Sequence, residues 1–175
     1  MKIVVTFAIE EEVIDVPLKD AFIVPIVTGI GKANAAFSLT RAVLLEKPDM
    51  VLNIGTAGTQ KHSVGDVFVC DHFIDRDLSL LNLPGITSEL HTEHLLFNPY
   101  GVVNTGDDFV TDSEVLHGDV IDMEAFAEAL VCKKMNIPFV SVKYITDVVG
   151  KNSIRAWEEK LSDARKGLQS FFESC

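Results

Sequence analysis

Long apolar runs are missing from this chain, and so is any excess of positive charge. No stretch is long enough to span a bilayer, and Met1 to Val5 enters a strand-like run with no small-residue cleavage site behind it, so neither a membrane span nor a signal peptide is expected. Fifteen basic residues stand against twenty-six acidic ones, a net charge of −11. Such a surface repels polyanions, which argues against nucleic acid and anionic membrane as partners and leaves small uncharged ligands unpenalised. Cysteine is sparse: Cys70, Cys132 and Cys175 are scattered and lack metal-ligand spacing. Two core thiols and one terminal thiol, in a reducing cytoplasmic setting, are the expectation. The five histidines (His62, His72, His91, His94, His117) form no metal motif either; His91 and His94 lie three apart in an expected exposed loop, so no metal and no cofactor are expected. Repeats, linkers and low-complexity tracts are absent as well. With 47% hydrophobic and 23% charged residues, the 175 residues read as one globular domain, 1–175.

What is present is alternation. Lys2 to Ala8 and Ala21 to Thr28 are continuous apolar, β-branched runs, the pattern of strands buried on both faces. Lys32 to Glu46 carries Ala36, Leu39, Val43 and Leu44 at helical spacing until Pro48 forbids continuation. Met50 to Ile54 predicts a third strand, ended by Gly55-Thr56-Ala57-Gly58, and Asp66 to Cys70 a fourth. His72 to Tyr100 reads as irregular, with Pro84-Gly85 and Asn98-Pro99 as turns. Val102 to Thr105 and Val120 to Met123 are short strands, Glu124 to Met135 a helix with Met123, Phe126, Ala127 and Leu130 on one stripe, and Phe139 to Ile145 the last strong strand. Asn152 or Ser153 can cap a final helix striped by Ile154, Trp157, Leu161, Leu168 and Phe171. Strands alternating with helices predict α/β architecture, a three-layer α/β/α sandwich around a central, largely parallel or mixed sheet.

Ligands collect at the ends of such strands. Ala8-Ile9-Glu10-Glu11-Glu12-Val13 puts three carboxylates directly after the first strand; by itself this reads more readily as a solvated helix start favoured by the helix dipole. Thr28-Gly29-Ile30-Gly31-Lys32 opens a helix and could cradle an anion with backbone N–H groups, or be a tight turn. Asn53-Ile54-Gly55-Thr56-Ala57-Gly58, followed by Val64-Gly65-Asp66-Val67, allows close backbone approach to a ligand, with a plain turn as the alternative. Asp122-Met123-Glu124-Ala125 and Ile145-Thr146-Asp147 set acidic residues into apolar stretches. A carboxylate at the edge of a buried strand costs several kcal/mol unless it is paired or used. Glu124 and Asp147 therefore fit a purely structural role least.

Taken together and in this order, these motifs, closed by Pro138-Phe139-Val140 and Asp147, resemble the nucleoside phosphorylase/nucleosidase superfamily over Met1 to about Val149, and within it the methylthioadenosine/S-adenosylhomocysteine nucleosidase branch. The resemblance implies N-glycosidic hydrolysis of a 5′-substituted purine nucleoside, with release of the free base. It implies that Glu12 activates the attacking water and that Asp147 protonates or hydrogen-bonds purine N7. Glu124, flanked by Met123 and Asp122, would hold the ribose hydroxyls, and Thr56 would sit beside the sugar and the water. Phe109 would stack on the base, and Ile30 would lie near the sugar or the 5′ substituent. The chemistry needs such groups for its own reasons. A purine leaves poorly as an anion, so a proton donor near N7 lowers the barrier, roughly 10²–10⁴-fold for a well-placed one. The sugar turns cationic and favours carboxylates nearby, and water must attack from the face opposite the base.

Water is preferred to phosphate as the nucleophile. A phosphate dianion needs fixed positive charge, yet Asn53 stands where the superfamily's phosphorylases carry Arg, and Lys19 is the sole cation between Glu12 and Gly31. Against the family the chain is trimmed after Val13 and between His72 and Asn104; Asp75-Arg76-Asp77-Leu78 could retain part of the base-pocket and dimer contact. Lys143 stands for a common Arg, and Asp122 for a common Glu. A phosphate-dependent phosphorylase, and a trimmed relative that binds nucleosides without turnover, remain the alternatives, with futalosine or AMP as other hydrolase substrates. The expected partner is a small purine nucleoside, and the expected assembly a homodimer supported by apolar residues in Leu80 to Leu83.

Overall fold

The apolar runs of the sequence become the middle of one mixed sheet. A computed structural model describes residues 1–81, 83–108, 110, 116–150 and 153–175. Strand β1 (Lys2–Phe7) leads into a single 3-10 turn (Glu10–Glu12), then β2 (Phe22–Val27), α1 (Lys32–Glu46), β3 (Met50–Thr59) and β4 (Val67–Asp75). The short helix α2 (Arg76–Ser79) follows, then β5 (Glu89–His91), β6 (Gly101–Thr105), β7 (Val120–Asp122), α3 (Ala125–Met135), β8 (Phe139–Val148) and α4 (Ser153–Glu173).

The sheet runs β2-β1-β3-β7-β6-β4-β5, with β8 bridging β3 and β4. Pairings β1–β2, β1–β3, β3–β8, β4–β6 and β6–β7 are parallel; β3–β7, β4–β5 and β4–β8 are antiparallel. Because β7 meets β3 at Gly58↔Ile121, strands β3, β8, β4, β6 and β7 close into a ring. Side chains alternate across the sheet as the pleat requires. Ile3, Val5, Met50, Leu52, Ile54, Val140 and Val142 pack with Ala164, Leu168 and Phe172 of α4. On the opposite face, Val4, Val51, Val103 and Phe139 pack with Leu39 and Val43 of α1 and Phe126 and Ala129 of α3. Three layers result, α/β/α, as the alternation predicts.

Local departures have physical causes. Strand β3 does not stop at Ile54 but continues through Gly55-Thr56-Ala57-Gly58, because β8 lies alongside it from Val51↔Phe139 to Thr59↔Val148 and supplies ladder partners that outweigh the weak strand preference of glycine. Strand β2 is a sheet edge rather than a strand buried on both faces, and Phe22 is 67% exposed. The buried face of α1 is Ala35, Leu39, Ala42 and Val43, while Leu44 is 62% exposed, because the helix turns its stripe toward β1 and α3 together. In α4 the stripe is Ala164, Leu168 and Phe172, and Ile154 is exposed. The segment read as irregular between His72 and Tyr100 holds the end of β4, α2 and β5. Cys70 and Cys132 are buried, Cys175 is exposed, and all three are free. Among the described residues, no helix is long and apolar enough to cross a membrane.

Candidate active site

A cleft open to solvent on one side lies where β1, β3, β7 and β8 end and the start of α4 crosses over them. Glu12, Ile30, Thr56, Asp122, Met123, Glu124 and Asp147 all line it. Seven of the eight residues singled out in the sequence thus share one wall; Phe109 lies outside the described residues.

The acidic triplet sorts itself by helix geometry. A 3-10 turn has three residues per turn, so Ile9 and Glu12 fall on the same side. Both line the cleft, while Glu10 and Glu11 face water. Buried Glu12 accepts three hydrogen bonds: from Thr56 N (2.9 Å) and Thr56 Oγ1 (2.6 Å) on Oε1, and from Ala8 N (3.3 Å) on Oε2. The β1 end and the middle of β3 therefore hold one carboxylate between them.

Glu124 is fixed by the turn before α1. Gly29 (φ +86) and Gly31 (φ +93) adopt backbone conformations that a side chain would strain. They turn Gly31 N onto Glu124 Oε1 at 2.8 Å, while Lys32 N takes Asp107 Oδ1 at 2.7 Å. The backbone N–H groups that could have cradled an external anion are occupied by the chain's own carboxylates. Lys32 Nζ is likewise engaged, with Asp75 (3.1 Å) and Asp77 (2.6 Å). Burial and the neighbouring Asp122 charge push the Glu124 carboxyl up to about 7, against the pull of Lys143 and the Gly31 N–H.

Asp122 and Lys143 form a dry ion pair, Oδ2 to Nζ 2.9 Å, with side chains 1% and 2% exposed. Asp122 also accepts from Ala125 N (2.9 Å), capping the start of α3, and from Thr105 Oγ1 (2.5 Å). Burial works against the Lys143 ammonium, but the charges of Asp122 and Glu124 outweigh it and hold its pKa above the ordinary value. Its Nζ and the Glu12 carboxylate oxygens face the same point: a Cβ on Gly55 would lie 3.5 Å from each. The register of β8 against β3 shifts by one residue after Ala57↔Ile145, so Asp147, not Thr146, stands opposite Gly58. Thr146 Oγ1 donates to Asp147 Oδ1 at 3.0 Å.

Three more residues of this wall, Asn53, Arg76 and Trp157, are not among the eight singled out in the sequence. Asn53 accepts from Ser141 Oγ (2.6 Å) and donates to Thr6 Oγ1 (3.1 Å), which donates to Glu128 Oε2 (2.6 Å), a polar chain under the cleft floor. Arg76 spends its guanidinium on the carbonyls of Asn104, Gly106, Asp108 and Asp122, and burial lowers its pKa despite nearby carboxylates. It packs so closely on Gly106 that a side chain there would collide with it. Trp157, read as part of an apolar stripe, reaches the cleft from the first turns of α4. Helical periodicity cannot distinguish a core face from one that overhangs a pocket; only the packing of α4 across β3 and β8 does.

The chain has counterparts among known proteins. The model of the phosphorylase superfamily matches residues 11–100 and 99–175, and the chain belongs to that family. Its curated relatives include 5′-methylthioadenosine/S-adenosylhomocysteine nucleosidases. One from Bacillus cereus (strain G9842) is 33% identical over 172 residues, covering 78% of this chain and 73% of the relative. Among solved structures, a futalosine hydrolase mutant of Helicobacter pylori strain 26695 superposes with a TM-score of 0.84 at 19% identity, covering 99% of this chain and 97% of that one. The methylthioadenosine/S-adenosylhomocysteine nucleosidase from Colwellia psychrerythraea 34H, in complex with adenine, superposes with a TM-score of 0.81 at 24% identity, covering 98% and 93%. These two likenesses carry the fold.

Proposed function

We propose that the chain hydrolyses the N-glycosidic bond of a 5′-substituted purine nucleoside of the methylthioadenosine/S-adenosylhomocysteine type, releasing adenine. The observation that carries this reading is the convergence of Glu12, Glu124 and Asp147, distant in sequence, on one cleft. Glu12, fastened by three donors, accepts the proton of an attacking water. Asp147 hydrogen-bonds or protonates the purine as it leaves, and Glu124 grips the ribose hydroxyls. The acidic lining steadies the cationic sugar. Ile30 and Met123 give the sugar and 5′ group apolar walls.

Water rather than phosphate is favoured by how the positive groups are used. Lys143 is paired with Asp122, Arg76 is spent on carbonyls, and the amides at the start of α1 hold Glu124 and Asp107. A phosphate dianion would find its donors taken and three carboxylates facing it. We further read residues 1–175 as one domain, acting as a homodimer in the cytoplasm. Exposed Leu80, Leu81 and Leu83 offer an apolar patch for the dimer, and the three free thiols suit a reducing compartment.

The test is adenine release from methylthioadenosine in phosphate-free buffer, with futalosine as a parallel substrate. Turnover without phosphate is expected. Strict phosphate dependence would move the chain to the phosphorylases, and nucleoside binding without product would make it a binding protein.

A further inference from the structure

Trp157 Nε1 lies 2.8 Å from Thr56 Oγ1, and the same hydroxyl lies 2.6 Å from Glu12 Oε1. An indole nitrogen can only donate. The Thr56 oxygen therefore accepts from Trp157, and its own proton turns to Glu12. From this we infer that Trp157 is a positioning residue for the reaction: it fixes the rotor of Thr56 so that the hydroxyl always donates to Glu12 and never competes for the attacking water. Glu12 Oε1 is then saturated by Thr56 N and Thr56 Oγ1, which leaves Oε2, with one longer bond from Ala8 N, as the oxygen for the water proton.

The inference rests on the proposed hydrolysis, so its test has one arm that needs no turnover. Trp157→Phe keeps the ring against the cleft and deletes the N–H. One neutral hydrogen bond corresponds to about a five- to tenfold loss in kcat, with KM unchanged. In a Thr56→Val background the Trp157→Phe change should have no further effect on kcat. A raised KM with unaltered kcat, or equal losses in both backgrounds, would make Trp157 a mere pocket wall and overturn the assignment. The second arm uses the ligand-free protein. The chain has a single tryptophan, so its indole N–H gives one peak in a proton–nitrogen NMR correlation. That peak should shift in Thr56→Val; an unmoved peak refutes the relay even if no substrate is ever turned over. Absent turnover with a shifted peak would fault the functional reading and leave the relay standing.

An independent observation lies at the far edge of the sheet. Register pairs His72 of β4 directly with His91 of β5, their rings stacked at 4.0 Å, and Glu89, two residues before His91, reaches His72 Nε2 at 2.6 Å. One donor atom from each of the three lies within 4.8 Å of the others. The linear spacing of the histidines hides this, because the ligands come from two strands. The geometry points to a surface site for a divalent ion of the zinc type, held by two imidazoles and a carboxylate, with water completing the shell. Imidazole nitrogens and carboxylate oxygens bind zinc at about 2.0–2.2 Å. Calorimetric titration of the whole chain with zinc chloride should give one equivalent bound, lost in His91→Ala and retained in His94→Ala. No binding, or binding unaffected by His91→Ala, would refute the site.

Discussion

Glu128 is the most consequential buried group outside the cleft, and its removal makes a quantitative test. It is fully buried on α3; Oε2 accepts from Thr6, and Oε1 has no partner among the described residues. Burial pushes its pKa from 4.5 to about 8, aided by Glu124 and Asp122 and opposed by Thr6 and Lys143. The folded protein thus binds a proton that the unfolded chain releases above pH 4.5. The stabilisation is complete below that pH and disappears as pH rises through about 8. Integrating the linkage gives about 3–4 kcal/mol lost between pH 5 and pH 8, a large share of the roughly 5–15 kcal/mol that holds a domain together. Glu128→Gln keeps the shape and the bond from Thr6 but carries no titrating proton. Urea unfolding of both proteins at pH 5, 6, 7 and 8 should show the wild type as stable as the variant, or more so, at pH 5 and markedly less stable at pH 8. A stability difference that stays constant across this range would refute the argument that Glu128 is held neutral.

Asp147→Asn should remove most turnover, roughly 10²–10⁴-fold in kcat, while circular dichroism and unfolding midpoint stay close to wild type; full activity would refute its role as acid. The Glu124 carboxyl protonates as pH falls through about 7, and a neutral acid grips ribose hydroxyls less well. KM for the nucleoside should therefore rise below pH 7, and Glu124→Gln should flatten that dependence. Lys143→Met leaves Asp122 buried without its cation and should cost about 3–5 kcal/mol in urea unfolding; double replacement with Asp122→Asn should recover part of the loss.

The sequence by itself determined the class of fold and the chemistry on offer. Apolar runs alternating with helical stripes require a layered α/β domain, and acidic residues planted in those runs require a use, because burial without one is too costly. That reasoning singles out Glu124 and Asp147 without coordinates, whereas Glu12 stands out only through the family resemblance. The tertiary structure decided what sits next to what. Periodicity reports which face of an element is apolar, not which neighbour it meets. Hence Leu44 and Ile154 proved exposed, Trp157 became part of the cleft, and the glycines after Ile54 continued a strand once β8 lay beside them. Pairings made across the chain, such as Thr6 with Glu128 or His72 with Glu89 and His91, leave no local trace, since side chains more than ten residues apart meet only when the sheet assembles.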